Sequence, residues 1–67
     1  MNIEKHITVT GSSTVSWKDA IIKTISKASE TIQAISAVRI LDQRGKIVNG
    51  IINEYYVDLD ITFIVQQ

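Results

Sequence analysis

From Ile3 to Thr10 apolar and polar side chains alternate, with Ile3, Lys5, Ile7 and Val9 on one face and Glu4, His6, Thr8 and Thr10 on the other. That period of two predicts a half-buried strand. The next four residues, Gly11-Ser12-Ser13-Thr14, are small or hydroxylated and compete with regular structure by bonding nearby backbone, which predicts a turn. Ser16 is a good helix N-cap, and Asp19 three residues later is placed to reach back to the cap amide in a capping box. From Trp17 the apolar positions fall at Ile21, Thr24/Ile25, Ala28, Ile32 and Ile35, a helical stripe with Lys18, Lys23, Lys27, Glu30 and Gln33 away from it. One face of this helix requires a sheet.

After Ser36 the chain turns β-branched, and Val38 and Ile40 alternate against Ala37, Arg39, Leu41 and Gln43, predicting a second strand. Asn49-Gly50 is a strong hairpin signal, because a type I′ turn needs positive φ at both central residues. Gly45 suggests a bulge before it. The last segment alternates throughout, with Tyr55, Val57, Leu59, Ile61, Phe63 and Val65 opposed to Glu54, Tyr56, Asp58, Asp60 and Thr62. The predicted order is strand, helix, strand, strand in one α+β domain over residues 1–67. Burying the helix stripe on one sheet face leaves Ala37, Arg39, Leu41 and Tyr56 on the other, a mixed surface suited to subunits or a ligand, or to solvent alone.

Length sharpens this picture. Sixty-seven residues give a thin core, and without cysteine no disulfide or thiolate metal site can reinforce it, so association of copies is the expected supplement. Seven basic and seven acidic side chains cancel, which argues against nucleic acid as the main partner. The opening Met1–His6 segment lacks the apolar centre of a signal peptide and no apolar run approaches membrane-spanning length, so a cytoplasmic protein with no membrane partner is expected.

Five segments together resemble the dodecin family: Val9–Ser13 with Ser16–Ala20, Ala28–Ile32, Asp42–Ile47, Glu54–Val57, and Phe63. The resemblance spans nearly the whole chain and rests on the combination. It implies a β-α-β-β fold in which a three-stranded antiparallel sheet wraps one helix, assembled as a hollow homododecamer. Family members typically hold riboflavin or FMN in stacked pairs at subunit contacts and store the flavin without turning it over.

By the same resemblance the ligand-pocket positions are Ala37, Arg44 and Tyr56. Ala37 stands where the family carries a flavin-stacking tryptophan, and Tyr56 where it carries a glutamine that bonds the flavin's polar edge. Arg44 matches an arginine near the ligand in many bacterial members. Loss of a stacking face removes about 1 to 3 kcal/mol, and one hydroxyl replaces an amide's paired donor and acceptor. Flavin binding is therefore expected to be weakened or lost, with the chain closer to family members lacking that tryptophan, such as the calcium-binding subgroup.

Glu54, Asp58 and Asp60 form a same-face carboxylate row whose repulsion needs an answer from Arg39 or another subunit's cation, from solvent, or from a hard cation such as calcium. Trp17 reads as packing rather than as a flavin stacker, since it lies outside the stacking position. His6 is the single histidine, and no nucleophile elbow, phosphate-cradling glycine loop or acid/base pair accompanies it, so the sequence supports no enzyme.

Overall fold

A computed structural model describes residues 1–66 of the chain. Strand β1 (Asn2–Ser13) leads into helix α1 (Trp17–Ala28), followed by strands β2 (Ile35–Val48) and β3 (Ile51–Gln66). The sheet order is β1-β3-β2 and both pairings are antiparallel. The expected β-α-β-β topology is thus present, with the longest and most regularly alternating strand at its centre. Val57, Leu59 and Ile61 of β3 and Ala20 of α1 are fully buried. Ile7, Val9, Trp17, Ile21, Ile25 and Ala28 pack around them.

The first predicted turn lies elsewhere. β1 continues through Gly11 and Ser12 to Ser13, in unbroken register with β3 down to Ser13 opposite Tyr55. Gly11 serves close approach: an added Cβ would collide with the Thr24 hydroxyl and come within 2.9 Å of the Thr24 Cβ. The turn forms one step later, where the Val15 amide donates to Ser13 Oγ at 2.9 Å.

Ser16 caps α1 as expected, its Oγ accepting from the Asp19 amide at 2.9 Å. The Asp19 carboxylate does not complete a capping box. It accepts from the Ser13 hydroxyl at 2.6 Å and pairs with Lys23 at 3.0 Å, which ties the helix start to the end of β1.

α1 ends at Ala28, so Ile32 and Ile35 do not continue its stripe. The Ser29 hydroxyl bonds the Ser26 carbonyl, and the Ile32 amide reaches back to the Ala28 carbonyl as the helix closes. Ala34, at φ 61°, reverses the chain so that Ile35 opens β2. The Asn49-Gly50 turn is as predicted, with φ of 53° and 77°.

β2 departs most from simple alternation. Its register against β3 shifts between Ile35 and Ala37, between Ile40 and Asp42, and between Lys46 and Ile47. Gly45 is itself in register, opposite Tyr55, so the bulges flank it. The unpaired Leu41 inverts the expected facing of the residues after it. Asp42 and Arg44 take the face away from the helix, opposite Asp58 and Tyr56, whereas Gln43 joins Val57 on the helix side.

α1 lies mainly on β1 and β3 and touches β2 where Trp17 meets Arg44 and Gly45, so most of β2 is uncovered. The chain is elongated, 52 × 19 × 13 Å, with a radius of gyration of 13.9 Å, against about 11 Å for a compact chain of this length.

Replacing Gly11 by Ala should cost about 1 to 3 kcal/mol, as overpacking does, read from urea melts at fixed subunit concentration. A melt unchanged from wild type would remove the close approach from the account. Acid should act through Asp19, whose carboxyl is held below the ordinary 3.8 by the Ser13 hydroxyl and then by Lys23. A depressed folded pKa means that this contribution is complete above 3.8 and lost as pH falls through and below that value. Asp19→Asn should flatten the fall of Tm in that window, and an equally steep fall would contradict the assignment.

Candidate functional site

Directly opposed residues of paired strands project to the same side, so the register orders the face away from α1 into rungs. Ser12, Tyr56 and Arg44 form one rung; Thr10, Asp58 and Asp42 form the next; Thr8, Asp60 and Arg39 the third; His6, Thr62 and Ala37 the fourth. The first two rungs bring together the richest chemistry. Arg44 Cζ lies 5.4 Å from the centroid of the Tyr56 ring, a cation–π placement. One terminal nitrogen of the same guanidinium donates to Asp58 Oδ1 at 3.1 Å, and its Nε stands 4.0 Å from Asp42.

Asp58 also accepts from the Thr10 hydroxyl at 2.7 Å. That bond, and then the one from Arg44, holds the Asp58 carboxyl below its ordinary value. A carboxylate kept ionised in this way is a poor proton acceptor and a good anchor for the guanidinium. Tyr56 donates to Glu54 Oε1 at 2.9 Å, which, with partial burial, pushes its phenol above 10.

Ala37 does not join Arg44 and Tyr56 within one chain. It pairs with Thr62, six residues along the strand from Tyr56 and therefore about 20 Å away. A pocket using all three positions needs contributions from different copies of the chain.

Glu54, Asp58 and Asp60 share the face as expected, yet each has a separate partner. Glu54 holds Tyr56, Asp58 holds Thr10 and Arg44, and Asp60 meets His6 Nδ1 at 3.1 Å rather than Arg39. Thr62 Oγ1 lies 3.0 Å from the same His6 nitrogen. Among the described residues, no three acidic or histidine side chains converge as a metal cage.

Around the site runs an uncovered apolar margin. Ile40 and Leu41 of β2 are nearly half exposed, and Ile47 and Ile51, flanking the hairpin turn, are 59% and 69% exposed. A separate cleft lies away from this face, an open groove between α1 and the edge of β1 lined by Ile7, Val9, Lys27 and Ile32. Asp42 and Thr10 are site residues that alternation did not select. The first is displaced onto this face by the Leu41 bulge, and the second is an ordinary strand threonine until the register sets it beside Asp58.

Comparison with known proteins agrees with this architecture. The dodecin from Streptomyces coelicolor superposes with a TM-score of 0.93 at 21% identity, over 98% of this chain and 94% of that one. A tryptophan-to-phenylalanine variant of the Thermus thermophilus dodecin gives 0.93 at 22%, over the full length of both chains. The calcium dodecin of Mycobacterium tuberculosis, described as a calcium-chelating immunodominant antigen, gives 0.82 at 22%, over 96% of this chain and 91% of that one. At these identities the likeness establishes the fold. A search of curated protein sequences found no match. The dodecin family model matches residues 3–66, and the chain belongs to the dodecin family.

Proposed function

We propose that the protein is the subunit of a hollow homododecamer that holds a small planar ligand on the helix-free face of its sheet, around Arg44 and Tyr56. The observation that carries this reading is the Arg44 guanidinium set over the Tyr56 ring and anchored by Asp58. It is a preorganised aromatic and cationic surface, which suits the holding of a flat molecule.

Self-association is supported by the mismatch between core and surface. Among the described residues only four hydrophobic side chains are buried, and the subunit exposes 4735 Å², against roughly 4,250 Å² for a folded monomer of this mass. Further copies would cover Ile40, Leu41, Ile47 and Ile51 and bring Ala37 of one chain toward Arg44 and Tyr56 of another.

Riboflavin and FMN are the ligands the family suggests, and here their binding is weakened or lost. Ala37 offers no stacking face, a deficit worth about 1 to 3 kcal/mol or roughly one to two decades in Kd. The Tyr56 hydroxyl is moreover already committed to Glu54. A calcium role has less support, because Glu54, Asp58 and Asp60 are each engaged within the subunit. The setting is the cytoplasm.

Sedimentation should give twelve copies of 7.5 kDa, about 90 kDa; a monodisperse monomer at micromolar concentration would end the shell reading. Titrated into the assembled protein, riboflavin should lose little fluorescence, and the Ala37→Trp, Tyr56→Gln double variant should gain strong quenching. Strong quenching by the wild-type chain would instead restore a full flavin site. Calcium added after chelation should leave Tm unchanged, and a rise in Tm would reinstate the ion.

A further inference from the structure

Among the described residues, Trp17 is the helix side chain that bonds β2, and it meets that strand at Arg44. Its indole Nε1 donates to the Arg44 carbonyl at 2.9 Å. Its ring stands edge-on to Tyr55, with centroids 4.8 Å apart and planes at 81°. It also lies over Gly45, where an added Cβ would be 3.7 Å from the indole Cζ2. Gly45 and Tyr55 are opposed in register, so a single aromatic spans the two strands one rung from the Arg44–Tyr56 pair.

The stretch so gripped is a poorly secured part of the sheet. Asp42 to Lys46 forms a five-residue block in continuous register, bounded by a shift after Ile40 and another after Lys46. It lies on an edge strand whose residues from Ser36 onward are all exposed. Bulges on both sides allow such a block to slide by one residue without disturbing the strands beyond, and a slide of one residue exchanges its faces. Arg44 would then leave Tyr56 and Asp58 for the helix side. A donor fixed on the helix and aimed at the Arg44 carbonyl opposes that slide.

The anchor is itself well held. Trp17 is the first residue of α1, directly after the Ser16 cap, and Asp19 ties the same turn to Ser13 of β1. The helix N-terminus is therefore fastened to all three strands at one level. We propose that Trp17 is a positioning residue: its indole N–H fixes the register of the Asp42–Lys46 block and so keeps the Arg44 guanidinium on Tyr56. This rests on the proposed ligand site only for the purpose it gives Arg44; the placement itself is testable without any ligand.

The test uses the assembled protein with its two tyrosines carrying 13C at Cζ, titrated by NMR. Arg44 lies by the Tyr56 ring and favours the phenolate, opposing the effect of Glu54. Arg44→Ala should therefore raise the Tyr56 midpoint and set the full scale of the effect. Trp17→Phe keeps an aromatic edge and removes the donor, and it should move Tyr56 by at least half of that scale. Benzothienylalanine at position 17, which keeps the shape of indole and lacks the N–H, should do the same if Trp17→Phe fails to fold.

A purely structural Trp17 would lower Tm in these variants and leave the Tyr56 midpoint at the wild-type value. That result overturns the proposal, as does an Arg44→Ala protein whose Tyr56 titrates unchanged. A wild-type protein that binds no planar molecule would sink the ligand reading and leave the role of Trp17 intact.

Discussion

Because side chains alternate along a strand, the number of residues between two positions decides whether they share a face, and in β2 that number is altered by the unpaired Leu41. Ala37 and Arg44 are seven apart, an odd spacing that in a regular strand would set them on opposite sides of the sheet. The extra residue restores them to one side, facing Thr62 and Tyr56 respectively. Everything assigned to the helix-free face depends on that insertion: the guanidinium on the ring, its anchor on Asp58, and Asp42 beside it.

The other half of the sheet has the opposite character. β1 and β3 pair from Asn2 to Ser13 without a shift, and α1 sits on them closely enough that Gly11 cannot carry a side chain. Val57, Leu59 and Ile61 are sealed there. The chain thus combines a regular, helix-backed portion with an edge portion that is bulged and apolar at its margin. Shape is tightly determined where the core is and less so along the uncovered edge.

Much of this was legible in the residues, for identifiable reasons. The unbroken alternation from Tyr55 to Val65 marked the central strand, Asn49-Gly50 marked the hairpin, and Ser16 marked the helix start, each a local rule that tertiary packing did not override. The helix end was less visible, since Ile32 and Ile35 keep the helical spacing although hydroxyl-to-carbonyl bonds and Ala34 have already turned the chain. Gly11 resembled a turn because the Thr24 side chain that demands it is thirteen residues away. Ala37, Arg44 and Tyr56 came from resemblance, and only the register reveals that two of them touch while the third is remote. Bulges leave little trace in a pattern of hydrophobic and polar letters.

The order β1-β3-β2 carries a consequence for how the chain is made. The strand that occupies the centre comes after both edge strands and the helix in the polypeptide, so during synthesis neither edge has a neighbour and α1 lacks part of its floor until β3 emerges from the ribosome. Pairings as distant as Asn2 with Gln66 make closure slow compared with local structure. The nascent chain should therefore remain open until β3 has been synthesised, and then form its sheet in one step.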